Sequence, residues 1–303
     1  MFFLIEIYFM KNNNPKVCVI MPVYNGEKTL KFALASLLVQ SYRNWICVIV
    51  NDGSTDGTKE ILDSIKDPRF HIYNLSKNCG RGIARDMALK YAEGDYLAYL
   101  DADDMMHEDK LKEQVYFLEN NPDIRMVSCG CITINENFEA LRASRLTDMR
   151  SDNIMKYGQA LPLLLPAIMA RLDQAKKFSY NHYLDVGEDY DFFARYCEGF
   201  RYANIGKPYY YYLTGNVTAK KLLYYQINSL RRRVVLWKRG HRGKAMISCI
   251  IRCLKFICYC ILIPIVGVDK LVNDRGNTDT VSSFEKKIYT ESFELINRTS
   301  RLI

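Results

Sequence analysis

The chain has 303 residues, of which 49% are hydrophobic and 25% charged, and it therefore has the composition of a folded globular protein. This length fits one large domain, or one domain with an appendage, and excludes a small domain that depends on disulfides. The net charge of +8 is unevenly distributed, since residues 217–255 contain eleven Lys or Arg and no Asp or Glu. An anionic surface is the expected partner of that region.

The ten cysteines are scattered, form no CxxC pair and lie in part within apolar runs. This usage is typical of reduced cysteines in the cytosol and argues against a zinc site. The first ten residues, MFFLIEIYFM, are apolar but contain Glu6 and lack a basic beginning. They are too short to span a bilayer, and residues 1–14 are therefore predicted to be an N-terminal extension.

Strand and helix patterns alternate from residue 16 onward. Apolar runs of strand length occupy residues 16–21, 45–50, 70–74, 96–100 and 126–134. Apolar residues at helical spacing predict helices at residues 29–40, 59–65, 83–92, 110–119 and 189–197. This alternation implies a parallel sheet with right-handed crossovers. Residues 209–213 are predicted to form an edge strand, whereas residues 136–185 show little periodicity.

The sharpest transition in the chain is the apolar run 96–100 that ends in Asp101, Asp103 and Asp104. Open α/β sheets bind their ligands beyond the carboxyl ends of the strands. Asp101 and Asp103 are well placed there for Mg²⁺, which takes one or two protein carboxylates and completes its shell with water and phosphate oxygens. The implied substrate carries phosphate. Taken alone, the same acids fit a solvated turn or a helix N-cap equally well.

Further loops follow the first three predicted strands, at residues 22–26, 52–56 and 78–86. Asp52 comes directly after an apolar run, so its carboxylate is expected to face the crevice and to accept a hydrogen bond from a base N–H. Arg81 and Arg85 lie at the start of a predicted helix. The amides of a helix N-terminus already favour anions, which makes phosphate oxygens natural ligands of these arginines.

In chain order the sequence contains VIMPVYNG, VIVNDGSTDGT, NCGRGIAR, YLAYLDADD and GEDYDFFAR. Together these motifs resemble the inverting family 2 glycosyltransferases over roughly residues 16–215. The resemblance implies a GT-A fold, an α/β nucleotide-diphospho-sugar transferase fold with a mainly parallel central sheet flanked by helices. It also implies a catalytic domain at residues 15–215, with a nucleotide-sugar-binding half (15–125) and an acceptor half (126–215).

The resemblance further implies the residues of the donor site. Pro22, Tyr24 and Asn25 match the first nucleotide-contacting loop, Asp52 matches the aspartate that contacts uracil or another base, and Arg85 matches the arginine near the base and the diphosphate. Family members more often carry an acid directly after the asparagine. Here Gly26 stands in that place, and the role is not transferred to Glu27.

The acidic motif and the later GEDYD motif supply the remaining roles. By resemblance, Asp103 is the direct ligand of Mn²⁺ or Mg²⁺, and Asp101 lies nearer the ribose while sharing the metal motif. Asp189 matches the general base, which takes the proton from the attacking hydroxyl and gives inversion at the anomeric carbon. Glu188 and Asp189 also fit the acidic first turn of an ordinary helix.

Two other features have a structural and a functional interpretation. His182 invites a metal-ligand role, but a lone histidine is more often structural or solvated. Tyrosines 209–212 would serve as a platform for an acceptor sugar, but strand packing is the more common use of such residues.

Residues 216–303 are predicted to be a helical membrane-associating region. The segment 247–268 is apolar except for Arg252 and Lys255, and its uninterrupted run 256–268 is broken by Pro264. This run is short for a spanning helix, so the segment is expected to enter the membrane interface. Basic residues precede it, at 231–233, 238, 239, 242 and 244. They favour peripheral binding to the inner, cytoplasmic face of the cell membrane. A dimerisation helix and a helix packed on the enzyme core are the alternatives.

Together these features predict a metal-dependent inverting glycosyltransferase of bacterial surface polysaccharide assembly, such as capsule or O-antigen. The donor is a nucleotide-sugar, with UDP expected first, and the acceptor is a saccharide or a sugar on a polyprenyl diphosphate. The alternative is a catalytically silent nucleotide-sugar-binding scaffold of a membrane complex. A nucleic-acid partner is not expected, because the arginine-rich helix lacks a recognised binding module.

Overall fold

A computed structural model describes residues 14–144, 154–159, 161, 163–215, 218–266 and 280–303. Nearly all of the predicted N-terminal extension, residues 1–13, and part of the acceptor half, residues 145–153, lie outside the described residues. The strands are β1 (Val17–Val23), β2 (Trp45–Asn51), β3 (Phe70–Asn74), β4 (Tyr96–Tyr99), β5 (Met105–Met106), β6 (Ile124–Ile134), β7 (Ala140–Ser144), β8 (Met169–Arg171) and β9 (Arg201–Leu213). The helices are α1 (Leu30–Leu38), α2 (Thr58–Ser64), α3 (Arg81–Tyr91), α4 (Lys110–Asn120), α5 (Leu172–Ala175), α6 (Glu188–Tyr196), α7 (Ala219–Lys238), α8 (Arg242–Val266) and α9 (Ser283–Ser300).

The described strands form one sheet in the order β3-β2-β1-β4-β8-β6-β9-β5, with β7 paired to β6. The first four strands are parallel, in agreement with the alternation of strand and helix in the sequence. Beyond β4 the sheet becomes mixed, because β8 runs antiparallel to both β4 and β6. The predicted α/β fold with a central sheet flanked by helices is confirmed.

The sheet is buried on both faces. On one face it packs against α1 and α4 through residues such as Leu34 and Leu118, and on the other against α3 and α6 through residues such as Ala88 and Phe192. Every residue of β1 is buried, which explains why this strand reads as a continuous apolar run.

The prediction of an edge strand at residues 209–213 is wrong. These residues end the longer strand β9, which lies between β6 and β5, and the two-residue β5 forms the edge. Gly206 and Pro208 interrupt the strand pattern, and the pairing of β6 with β9 shifts register there. A strand that tolerates glycine and proline at a bulge cannot be recognised from apolar alternation.

The helices after β9 behave differently from one another. Helix α9 packs on the catalytic unit: Tyr289 is buried, donates a hydrogen bond to the carbonyl of Phe138 (2.6 Å) and meets the ring of Tyr211 at 4.9 Å. Helix α8 is exposed, and its stretch Ala245–Pro264 is long and apolar enough to cross a membrane by length and composition. Pro264 lies inside α8, so this proline does not end the helix.

Candidate active site

Three carboxylates gather where β4 ends. One oxygen from each of Asp101, Asp103 and Asp104 lies within 4.8 Å of the other two. Asp104 is buried and accepts hydrogen bonds from the hydroxyl of Tyr210 and the amide of Leu213, both at 2.8 Å. Burial, followed by the charges of Asp103 and Asp101, raises the pKa of Asp104 well above its usual value.

Such a cluster is the chemistry of a hard-cation site. Carboxylate oxygens are the ligands that Mg²⁺ and Mn²⁺ prefer, and a divalent ion would relieve the repulsion that raises the pKa of Asp104. The exposed Asp103 and the half-buried Asp101 face the crevice, while Asp104 is held in the protein. The three residues therefore fit a divalent cation bound by Asp101 and Asp103 and supported by Asp104.

Arg85 joins this edge to the start of α6. Its guanidinium donates to Asp101 at 3.0 Å and to Glu188, at the start of α6, at 2.6 Å. Both Arg85 and Glu188 are almost completely buried. Burial raises the pKa of Glu188, and the opposing charge of Arg85 limits that rise. The arginine predicted to lie near the diphosphate thus also fixes α6 against the donor side.

Asp52 lies directly after β2 and is 3% exposed. Its two carboxylate oxygens accept the amides of Cys79 (2.7 Å) and Gly80 (2.9 Å), immediately before α3. Gly53 makes this approach possible: it has φ +66°, and a Cβ there would lie 2.3 Å from the carbonyl carbon of Lys77. Asp52 therefore holds the N-terminus of α3 in place, and its predicted contact with a base stays a prediction.

The loop after β1 is tied to the loop after β2. Asn25 has φ +53°. Its side-chain oxygen accepts a hydrogen bond from the backbone amide of Thr55 (2.8 Å), and its backbone amide donates to Ser54 Oγ (3.0 Å). Glu27 accepts the amide of Gly57, just before α2. The side chains of Asn25 and Glu27 are thus used to shape the loops.

The other two predicted residues of the first loop differ in exposure. Pro22 is buried within β1, in register with Val50 of β2. Tyr24 is 49% exposed at the end of the strand. Of the two, only Tyr24 has a side chain open to a ligand in the described structure.

Asp189 lies in the first turn of α6. Gly187 precedes it in the left-handed conformation (φ +81°), and Asp189 itself is half-buried, with one oxygen accepting the amide of Tyr190 at 2.6 Å. Because Glu188 is bound to Arg85, the turn that carries Asp189 is anchored beside the acidic edge. The structure thus brings the predicted base and the predicted donor residues to one side of the sheet.

The sequence profile of the family described as "Glycosyl transferase family 2" matches residues 18–174. The chain belongs to this family. The match contains the acidic edge, Asp52 and Arg85, and ends before Asp189.

Curated relatives within the family share parts of the chain. TuaG of Bacillus subtilis (strain 168), named for a role in teichuronic acid biosynthesis, is 42% identical over 111 residues, or 36% of this chain and 44% of TuaG. EpsE of the same organism, named as a glycosyltransferase, is 33% identical over 208 residues, or 66% of this chain and 73% of EpsE. The chain therefore matches less than half the length of TuaG.

Two solved structures illustrate the fold that this chain shares. The structure of S. aureus TarS 1-349 in complex with UDP has a TM-score of 0.60 at 19% identity and covers 94% of this chain and 90% of that one. The mannosyltransferase PcManGT from Pyrobaculum calidifontis, in complex with GDP-Man and Mn²⁺, has a TM-score of 0.54 at 15% identity, with 99% and 92% covered. At these identities the two structures show that the fold is shared over almost the whole chain.

The sequence also left open the roles of residues whose contacts are now visible. His182 pairs with Asp86 at 2.6 Å, which agrees with the structural interpretation. Tyr209, Tyr210 and Tyr211 are buried in the sheet, whereas Tyr212 is 41% exposed. Strand packing therefore accounts for three of the four tyrosines.

Three supporting residues were not predicted as part of the site. The sequence indicates Glu188 only as an acid in a helix turn and Tyr210 only as a packed ring, and it does not single out Asp191. Asp191 is 1% exposed and accepts hydrogen bonds from Tyr157 (2.5 Å) and Arg195 (2.9 Å). A spacing of four residues on a helix is typical of an ion pair such as Asp191 with Arg195, but nothing in the sequence indicates Tyr157 as a partner.

Proposed function

We propose that the protein is an inverting glycosyltransferase that moves a sugar from a nucleotide-diphospho-sugar, first of all a UDP-sugar, to a sugar hydroxyl. The observation that carries this proposal is the ion-pair bridge through Arg85, which joins the acidic edge at Asp101 to the helix turn of Asp189. Donor-binding and proton-accepting groups thereby share one site.

On the donor side, Asp101 and Asp103 would hold Mn²⁺ or Mg²⁺. A bound cation of this kind would neutralise the charge that develops on the leaving diphosphate. The nucleotide would lie along the loops that Asn25 and Asp52 shape, with Tyr24 open to it. Arg85, already engaged with two carboxylates, positions Asp101 for the donor.

On the acceptor side, Asp189 takes the proton of the attacking hydroxyl. Its amide contact with Tyr190 fixes one carboxylate oxygen, and the other oxygen is the one we assign to the acceptor. Attack from the face opposite the nucleotide inverts the configuration at the anomeric carbon. General base catalysis of this kind contributes about 10²- to 10⁴-fold to the rate.

The acceptor is proposed to be a saccharide or a lipid-linked sugar of surface polysaccharide assembly, handled at the inner face of the cell membrane. The exposed apolar stretch Ala245–Pro264 supports a membrane location, and the basic helices around it support anionic lipid as the surface. The name of TuaG supports a cell-surface polymer as the product.

The test is a panel of UDP-, GDP- and dTDP-sugars screened by thermal shift with and without Mn²⁺, followed by product analysis with the donor that binds. We expect a Mn²⁺-dependent rise in melting temperature for one nucleotide class, and slow donor hydrolysis or transfer with inversion. Binding of the donor without any turnover, across hydrolysis and transfer assays, would contradict the enzymatic role.

A further inference from the structure

A cavity of about 460 Å³ lies between α7, α8 and the N-terminal part of α6. Its lining combines arginines with an aromatic ring and branched apolar side chains, among them Tyr190, Arg232, Arg233, Ile247, Ile251 and Arg252. The lining also includes residues 157–159 and the carboxylate of Asp191. The arginines and the branched apolar side chains of the cavity all lie beyond residue 174, where the family match ends.

Three arginines of this cavity form no ion pair with a carboxylate of the described residues, although the charge of the nearby Asp189 acts on Arg232. Nε of Arg232 is buried and has no hydrogen-bond partner. Arg233 donates to Ser248 Oγ (2.9 Å) and to the carbonyl of Ser229 (3.0 Å), which are both neutral. Within the described ranges, neither these two arginines nor Arg252 has a carboxylate oxygen within ion-pair distance.

Two neighbouring arginines are paired. Arg231 of α7 forms an ion pair with Asp185, and Arg239, directly after α7, lies 3.7 Å from Asp191. Neither of these paired arginines lines the cavity, whereas Arg232 and Arg233 do. A ligand with negative charge would complete this arrangement.

Electrostatic effects within the cavity support the same conclusion. Burial lowers the pKa of Arg232 and lowers the pKa of Arg233 to about 10, and the neighbouring arginines add to both shifts, while the charge of Asp189 opposes the shift at Arg232. Like charges that are brought together in a partly buried space favour the binding of an anion.

The cavity lies next to the proposed base. A Cβ built on Gly187, two residues before Asp189, would be 2.6 Å from Cδ and 2.9 Å from Nη1 of Arg232. The ring of Tyr190 lies 5.7 Å from the guanidinium carbon of Arg232. An anion held by this arginine would therefore be adjacent to the acceptor that Asp189 serves.

The outer side of the cavity is apolar and continues along α8. Ile247 is 60% exposed and Ile251 is 57% exposed, and both lie in the stretch Ala245–Pro264. Arg252 lies within the same stretch, where an arginine without a counter-charge is costly in contact with hydrocarbon. A ligand that joins negative charge to a hydrocarbon chain satisfies both parts of the lining.

We propose that this arginine cavity binds the diphosphate of an isoprenoid-linked acceptor and that the lipid chain leaves along α8. The proposal rests on the proposed function, since it places the acceptor sugar between the diphosphate and Asp189. A phosphate attached to hydrocarbon is also present in bulk phospholipid. Three guanidinium groups in one cavity match the charge of a diphosphate better than the single charge of a phosphodiester.

The test titrates the full-length protein in detergent with farnesyl diphosphate, and in separate arms with farnesol, inorganic pyrophosphate and phosphatidylglycerol vesicles. Arg232→Gln and Arg252→Gln remove charge from the cavity. Arg242→Gln removes an exposed arginine of α8 that does not line it. Each cavity variant should bind farnesyl diphosphate at least about tenfold more weakly, because each loses a charge-assisted contact. The control should stay within about twofold of the wild type, and Arg252→Lys should recover part of the loss.

Two outcomes would overturn the proposal: equal affinity for farnesyl diphosphate in the cavity variants and the control, or loss of binding to phosphatidylglycerol vesicles without specific binding of farnesyl diphosphate. Titration with UDP and Mn²⁺ on the same variants separates the two proposals. Retained UDP binding shows that a variant is folded and that the donor site is intact. If the wild type binds farnesyl diphosphate but no nucleotide, the proposed function fails while the cavity assignment stands.

Discussion

Residues 15–125 and residues 126–215 hold their polar side chains in different ways. In the half formed by residues 15–125, Asp52 and Asn25 are fixed by backbone amides of neighbouring loops, over short distances set by parallel strands. In residues 126–215, Glu188 is fixed by the side chain of Arg85, 103 residues away in the chain, and Asp191 by the side chain of Tyr157. The first arrangement follows from the strand order, whereas the second depends on tertiary packing.

The largest effect is expected at Asp189, the residue that would make the second half catalytic. Asp189→Asn keeps the shape and removes the base, so turnover should fall by about 10²- to 10⁴-fold while nucleotide affinity stays nearly unchanged. Steady-state kinetics and UDP titration measure the two quantities separately. Turnover equal to the wild type would remove Asp189 from the role of base.

The bridge between the halves gives the next largest effect. Arg85→Met leaves the buried Glu188 without its cation and should lower the free energy of unfolding by about 3–5 kcal/mol. The control is Arg69→Met, which breaks the more exposed pair with Asp67 and a cation–π contact 4.0 Å from the centre of the Trp45 ring, and it should cost only about 1–2 kcal/mol. Urea denaturation of both variants tests the difference, and equal losses would show that Arg85 does not join the halves.

Lys110 offers a contrast with Arg85, because it is a buried cation whose described partner is the neutral amide oxygen of Gln114. Burial lowers its pKa from 10.5 to about 8. Between those two pH values the unfolded chain holds a proton that the folded protein has lost, so the free energy of unfolding should rise with pH. Between pH 8 and pH 10.5 the free energy of unfolding of the wild type should increase by up to about 3 kcal/mol more than that of Lys110→Met. Parallel stability curves for the two proteins between pH 7.5 and 10.5 would contradict this.

The smallest effect is expected in the loop at Asn25. Asn25→Ala places an alanine at φ +53° and removes the acceptor of the Thr55 amide, which should cost about 1–2 kcal/mol of stability and weaken UDP binding. Asn25→Gly removes the same hydrogen bond without the strain and should cost less. If both variants bind UDP as the wild type does, the loop does not shape the nucleotide site.

Much of the fold could be predicted because β1, β2 and β4 are apolar runs followed by polar loops. The acidic edge was equally visible, since Asp101 and Asp103 follow such a run directly. The family match confirms this part of the chain as a family 2 glycosyltransferase. Local sequence was sufficient here because the carboxyl ends of parallel strands necessarily meet at one edge.

The remaining features could not be predicted because their causes are not local. Arg85 and Glu188 are 103 residues apart in the chain, and Tyr210 and Asp104 are 106 residues apart. The burial of Arg232 depends on how α7 packs on α6, which the basic composition of α7 does not reveal. A stretch rich in arginine indicated an anionic surface, whereas the structure turns part of it towards the enzyme.

The central claim is that the acidic edge binds a divalent cation together with a nucleotide diphosphate, and the dependence of UDP affinity on Mn²⁺ tests it most directly. Calorimetric titration should show UDP binding that Mn²⁺ strengthens in the wild type. The ratio of the UDP affinity with Mn²⁺ to the UDP affinity without it should be at least about tenfold smaller in Asp103→Asn, because a direct metal ligand is lost. It should persist in Asp63→Asn, which changes an exposed carboxylate of α2. UDP affinity that is the same with and without Mn²⁺ in the wild type, or unchanged in Asp103→Asn, would contradict the account.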